Sequence, residues 1–211
     1  MKSSTHLFLF GSGPPFTPNL GEEFKRLAEG SKIAVLYIER EGSADYLPLY
    51  TDCLGISDSE IYYLPLRNEY SSEDLAALKE SDAVIIGGGD TVLYRRFIVE
   101  TSVGEVVRNL FEEGRPLAGF SAGALISPEE CVISPNDNVQ EIQLFEKGLG
   151  LLSGAVVSAH YLEWEEEVNL KAAVQKTDVA KGYGIAENSG VYLKNGRLSD
   201  IEGYIHIESH Y

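Results

Sequence analysis

The sequence alternates short apolar runs with longer amphipathic segments, and this alternation most constrains the fold. The apolar runs are rich in β-branched and aromatic residues, and the segments between them repeat apolar residues at the spacing of one helix face. Such a rhythm predicts βαβ units, with helices covering a mostly parallel sheet. The predicted strands are HLFLFG (6–11), IAVLYI (33–38), IYYLPL (61–66), AVIIGGG (83–89), PLAGFS (116–121) and AVVSAH (155–160).

The predicted helices lie in NLGEEFKRLAEG, SSEDLAALKES and VGEVVRNLFEEG. Ser71 or Ser72 is the expected N-cap of the second, and Gly30 and Gly114 are the expected stops of the first and third. After residue 183 the helical spacing ends, and the KNG triplet predicts an antiparallel hairpin. No repeat or linker divides the chain, so residues 1–211 are expected to form a single doubly wound α/β domain.

Charge and composition exclude several kinds of partner. Thirty-three acidic and seventeen basic residues give a net charge of -16, which repels nucleic acids and anionic membranes. The LFLF run near the N-terminus is too short for a signal peptide and no later run is long enough to span a bilayer, so a cytoplasmic location is expected. Cys53 and Cys131 form no metal-binding pattern and are expected to be buried free thiols. We expect no metal and no cofactor.

Two predicted strands end in glycine-bearing sequences, AVIIGGGDT and PLAGFSAGA. In a doubly wound sheet, ligands bind beyond the carboxyl ends of the strands, so both sequences are expected at that rim. The second contains G-x-S-x-G, the nucleophile elbow, in which small flanking residues let the backbone pass close to a strained serine. Ser121 is therefore either a nucleophile or a small residue that fills a tight corner.

A nucleophilic serine needs a general base, and the sequence has four histidines. His6 begins the first strand, and His206 and His210 lie near the C-terminus. His160 ends a predicted strand downstream of Ser121 and is the expected base. The competing interpretation is a strand-end histidine bound to a backbone carbonyl.

The carboxylate that orients the histidine has more than one candidate. Asp137 lies in the turn-rich SPNDNVQ segment, and Glu187 follows the predicted strand YGIA. The acidic run EWEEE is most simply a solvated helix face. The residues alone do not choose between Asp137 and Glu187.

The GFSAGA elbow, IIGGGDT, the ND pair and the lone strand-end histidine together resemble the serine peptidase family of dipeptidase E (aspartyl dipeptidase) and cyanophycinase. The resemblance runs from the first strand to GIAENSGVYL and implies a class I glutamine amidotransferase-like fold. It also implies hydrolysis of small peptides by Ser121 and His160, with Asp137 as the acid and Glu187 as its alternative. The oxyanion hole would use the N–H groups of Gly88 or Gly89 and of Ala122. The expected partners are a small peptide and, as an option, a second copy in a homodimer.

The sequence also departs from that family. Asp90 stands where the dipeptidases usually have asparagine, and the arginine that they carry after the histidine is missing from HYLEWEEEVNL. Asp90 is therefore expected at the substrate side, where its charge would disfavour acidic peptides. Arg95 and Arg96 are alternative partners for a substrate carboxylate.

Three other functions compete with this one, and the first is the main alternative. The first is an inactive family member that serves as a small-molecule binding or interaction module. A glutamine amidotransferase would carry cysteine rather than Ser121 at the elbow. An α/β-hydrolase esterase matches the order Ser121, Asp137, His160, but it is usually longer and lacks the glycine turn.

Overall fold

A computed structural model describes residues 3–28 and 32–210. The helices are α1 (Pro18–Leu27), α2 (Ser43–Tyr46), α3 (Ser72–Lys79), α4 (Thr91–Tyr94), α5 (Ser102–Glu112), α6 (Ala122–Leu125) and α7 (Glu167–Thr177). A π-helical turn, Arg95–Val99, follows α4, and short 3₁₀ turns lie at Leu47–Tyr50, Asp52–Leu54, Asp58–Glu60 and Pro135–Asp137.

Within those residues, twelve strands form three sheets. They are β1 (His6–Phe10), β2 (Ile33–Tyr37), β3 (Ile61–Pro65), β4 (Ala83–Ile86), β5 (Leu117–Phe120), β6 (Glu130–Ile133), β7 (Leu144–Lys147), β8 (Ala155–Ser158), β9 (Lys181–Ile185), β10 (Gly190–Lys194), β11 (Arg197–Glu202) and β12 (Ile205–Ser209).

The main sheet has the order β11-β10-β1-β5-β4-β2-β3. Strands β1 to β5 run parallel to one another, and β10 and β11 are antiparallel additions at one edge. The mostly parallel α/β class and the C-terminal hairpin are thereby confirmed. The hairpin turns at Asn195 (φ 52°) and Gly196 (φ 70°), the backbone that a two-residue type I′ turn requires.

Both faces of the main sheet are buried, as helices on either side require. Leu7 and Leu9 belong to one hydrophobic cluster, while the alternate residues Phe8 and Phe10 belong to the other. The Phe10 ring stacks on Phe120 with centroids 4.5 Å apart. This packing fixes the end of β1 beside the end of β5.

The predicted helix ends hold where the structure describes them. Ser71 is the N-cap of α3, and its side chain accepts the Asp74 N–H at 3.1 Å. Gly114 follows α5 with φ 95°, the left-handed backbone that favours glycine. Gly30 lies outside the described residues.

Two features depart from the expected single sheet. Strand β8 does not join the main sheet but pairs with β9, and β12 leaves the hairpin to pair with β9 on its other side. β8, α7 and β9 thus form a βαβ unit of their own, which a strand pattern alone cannot distinguish from one in the main sheet. The antiparallel pair of β6 and β7 was not predicted, since ten residues separate these short strands.

The expectation of two buried free thiols is confirmed only for Cys131. Both thiols are free, but Cys53 is exposed, because it lies in a short 3₁₀ turn rather than in a strand, whereas Cys131 is buried.

Among the described residues, no helix combines the length and apolarity needed to cross a bilayer.

Candidate active site

Ser121 lies in the sharp turn between β5 and α6, with φ 47° and ψ -106°. The flanking glycines are required by close backbone contacts. A Cβ on Gly119 would lie 2.5 Å from the Gly123 carbonyl oxygen, and one on Gly123 would lie 2.4 Å from that of Ile86. The Ser121 N–H donates to the Phe10 carbonyl at 3.0 Å. A strained serine fixed at a strand end is the geometry of a nucleophile elbow.

His160 lies between Ser121 and Glu187. The Ser121 Oγ is 3.0 Å from the His160 Nε2, and the His160 Nδ1 is 2.7 Å from the Glu187 Oε1. The serine and histidine thus approach each other as their strand-end positions predict. Contrary to expectation, they end strands of different sheets, since His160 follows β8.

The carboxylate beside the imidazole is Glu187, not the Asp137 that the resemblance favoured. β8 and β9 are adjacent and parallel, with Ser158 opposite Gly184. Because His160 and Glu187 follow these strand ends closely, they meet at the same edge. Asp137 lies across the cavity, where its Oδ2 accepts the Thr91 hydroxyl at 2.5 Å.

The end of β1 holds this arrangement together, which the sequence interpretation missed. The Gly11 carbonyl accepts the His160 N–H at 2.8 Å, and the Ser12 Oγ accepts the Asn188 N–H at 3.1 Å. A Cβ on Gly11 would lie 2.2 Å from the Ile185 carbonyl oxygen, so glycine is needed there. The signal was present in the FGSG stretch, which is a third glycine-bearing strand end.

The glycine turn after β4 lies against Ser121. A Cβ on Gly88 would be 3.3 Å from that of Ser121. However, the Gly88 N–H donates to the Tyr50 Oη at 2.9 Å, and burial raises the pKa of that phenol. Among the described residues, the N–H groups of Gly89 and Ala122 have no hydrogen-bond partner. Of the expected oxyanion donors, these two are available.

A cavity of about 330 Å³ opens in front of Ser121. Trp164, which was not predicted, stacks on His160 with ring centroids 4.3 Å apart. A wider groove of about 710 Å³ lies next to the cavity, and the two share Gly89 and Asp137. The side chains that line the smaller cavity are Arg40, Tyr46, Ser121, Asp137, His160 and Trp164.

The pKa of the Asp137 carboxyl group is raised. Burial raises its pKa to about 6, and the nearby charges of Asp90 and Glu166 act in the same direction. The hydrogen bond from Thr91 and the charge of His160 act in the opposite direction. A carboxyl group held in this way binds protons more readily than an exposed one.

Glu166 contradicts the interpretation of the acidic run as a solvated helix face. It is 2% exposed and immediately precedes α7. Its carboxylate joins the loop that carries Asp137 to the turn that carries His160, because it accepts donors from both sides. These donors are the side chains of Ser134 (2.5 Å), Asn169 (3.2 Å), Asn136 (3.3 Å) and Ser158 (3.4 Å).

Asp90 and Arg95 have structural partners. Asp90 is exposed in the groove and caps α4, where its Oδ1 accepts the Leu93 N–H at 3.0 Å. Arg95 pairs with Glu100 at 2.5 Å and with Glu146 at 3.3 Å, outside the Ser121 cavity. In the described part of the chain, no group of three or more His, Cys, Asp and Glu side chains is arranged to hold a metal ion.

Known peptidases resemble this chain in sequence. Peptidase E of Haemophilus influenzae is 27% identical over 128 residues, which cover 56% of this chain and 57% of that protein. The chain thus matches little more than half of that relative's length. The uncharacterized peptidase YgaJ of Bacillus subtilis is 23% identical over 173 residues, which cover 81% of this chain and 72% of that protein.

Solved structures share the fold. A peptidase from an acI-B1 actinobacterium superimposes with a TM-score of 0.70 at 22% identity, covering 98% of this chain and 91% of the other. A Listeria monocytogenes protein named for peptidase E gives 0.65 at 18% identity, covering 99% and 100%. The profile of Peptidase family S51 matches residues 7–201. A match over that much of the sequence shows that this chain belongs to Peptidase family S51.

Proposed function

We propose that the protein is a serine peptidase of short peptides, with Ser121 as nucleophile, His160 as general base and Glu187 as the orienting acid. The observation that supports this is the continuous contact from the Ser121 Oγ, through both ring nitrogens of His160, to the Glu187 carboxylate. A carboxylate on Nδ1 keeps that nitrogen protonated, so that Nε2 is free to accept the serine proton.

The proposed reaction proceeds by acyl transfer. The Ser121 Oγ attacks the scissile carbonyl carbon while its proton passes to the His160 Nε2. The N–H groups of Gly89 and Ala122 stabilise the oxyanion that forms. His160 then gives its proton to the leaving amine. In the second half of the reaction, water attacks the acyl group while its proton passes to His160, and Ser121 regains a proton from His160 as it leaves.

The net charge of -16 and the carboxylates near the cavity lead us to propose a preference for neutral or basic N-terminal residues. A panel of Asp-Leu, Ala-Leu and Lys-Leu tests this preference. A higher kcat/KM for Asp-Leu than for the other two would contradict it.

Labelling with a fluorophosphonate probe tests the nucleophile without a known substrate. Ser121 should be the modified residue, and Ser121→Ala should abolish both labelling and dipeptide hydrolysis. Ser199→Ala, on exposed β11, is the matched control and should behave like the wild type. A folded protein that neither labels nor hydrolyses any dipeptide would favour the binding-module alternative.

A further inference from the structure

Asp137 lies in the Ser121 cavity as a carboxylate without a cationic side chain beside it. Its Oδ2 accepts a neutral hydroxyl, that of Thr91, and no lysine or arginine of the described residues forms an ion pair with it. Largely buried charges are normally paired. A cationic group on the substrate would therefore gain a strong interaction at this position.

Arg40 also lines this cavity and supplies its guanidinium group. It lies over the Tyr46 ring, 5.3 Å from its centroid, and within the described residues it pairs with no carboxylate. Guanidinium groups match the planar geometry of carboxylates. One small cavity thus presents a carboxylate and a guanidinium together with Ser121.

Building on the proposed function, we infer that Asp137 binds the α-ammonium group and Arg40 the α-carboxylate of a free dipeptide. A dipeptide has these two opposite charges on either side of its one peptide bond, the bond that Ser121 attacks. The volume of about 330 Å³ lies at the small end of ligand pockets, which suits a substrate of this size.

The adjoining groove then receives the side chain of the first residue. The α-ammonium and that side chain share one Cα, so a peptide whose ammonium lies at Asp137 must direct its side chain nearby. The groove and the cavity share Gly89 and Asp137, and the apolar side chains in the groove lining include Val92, Leu93 and Leu144. Among neutral first residues, this lining favours an apolar one such as leucine, while a carboxylate there would lie in a groove that already holds Asp90 and Asp137.

The test compares Leu-Ala with N-acetyl-Leu-Ala and with Leu-Ala amide, which lack the ammonium and the carboxylate respectively. Each blocked peptide should lose on the order of 10- to 100-fold in kcat/KM, the size of a charge-assisted contact. Asp137→Asn should lose a similar factor on Leu-Ala and little more on the acetylated peptide. Arg40→Gln should do the same with the amide. The matched controls, Asp200→Asn and Arg197→Gln on exposed β11, should behave like the wild type.

Equal turnover of free and blocked peptides would overturn the inference. So would an Asp137→Asn variant that loses the same factor on every substrate and also labels slowly with the uncharged fluorophosphonate, since Asp137 would then act through His160.

Calorimetric binding to the Ser121→Ala variant separates this inference from the proposed chemistry. Leu-Ala should bind at least tenfold more tightly than either blocked peptide, whether or not Ser121 is catalytic. If Ser121 is not labelled but the binding preference is intact, only the proposed reaction is contradicted. If Ser121 is labelled but free and blocked peptides bind equally well, only the inference about Asp137 and Arg40 is contradicted.

Discussion

The end of β9 brings the Glu187 carboxylate to His160, and the loop after β6 brings the Asp137 carboxylate to the Ser121 cavity. The two groups have different surroundings. The Glu187 side chain is 42% exposed and contacts the imidazole directly. Asp137 is more deeply buried, accepts a neutral hydroxyl and has a raised pKa. Contact with the histidine thus follows from the parallel pairing of β8 with β9, whereas Asp137 is left free for the substrate contact that we propose.

The largest expected difference between the two carboxylates is in turnover. Glu187→Gln should lower kcat by about 100- to 10,000-fold, because an amide no longer fixes the imidazole tautomer. Asp137→Asn should act mainly on KM for free dipeptides. Steady-state kinetics with Leu-Ala measures both variants, and a larger loss of kcat in Asp137→Asn would reverse the two roles.

Glu166 connects the two regions, so its removal should be costly to stability. Glu166→Ala leaves the buried hydroxyls of Ser134 and Ser158, and two less buried amide groups, without their acceptor, and it should destabilise the protein by about 3 kcal/mol. The exposed neighbour in Glu165→Ala should change stability by about 0.5 kcal/mol or less. Urea unfolding of both variants at pH 7 checks this, and equal midpoints would show that the Glu166 contacts add nothing.

Asp137 should also reduce stability in a pH-dependent way. Folding raises its pKa to about 6 from 3.8, so the native state carries a penalty above pH 6 that is absent below about pH 4. Asp137→Asn should therefore be more stable than the wild type by about 1–2 kcal/mol at pH 8, after allowance for partial exposure. The gain should disappear at pH 4. Thermal unfolding at the two pH values measures it, and a gain that grows on acidification would give the wrong sign.

The smallest expected effect concerns backbone strain at the elbow. Ser121→Gly and Ser121→Ala both remove the hydroxyl, but only glycine relaxes a positive φ. The glycine variant should be more stable than the alanine variant by about 1 kcal/mol. Parallel denaturant curves compare them, and a more stable alanine variant would argue against strain at this position.

The sequence predicted the main-sheet strands and the approach of Ser121 to His160, because apolar periodicity and the strand-end rule are local signals. It did not select Glu187 over Asp137, since that choice depends on the pairing of β8 with β9, which no local pattern shows. The burial of Glu166 was also missed. One of its donors, Ser134, lies 32 residues away in sequence.

The role of Arg40 remains a prediction from the structure alone. Arg40 lies in an exposed loop, and its local sequence carries no pattern that distinguishes it from an ordinary solvent-exposed loop. Only the three-dimensional cavity brings it near Ser121.

The contacts at the end of β1 also determine when the site can form during synthesis. Phe10 pairs with Phe120 on one side and with Gly190 on the other, so β1 cannot complete its pairing until β10 has been made. Contacts of such long sequence separation form late in folding. A chain still emerging from the ribosome therefore carries Ser121 before it carries Glu187, and the contacts around His160 stay incomplete until β9 and β10 have been made.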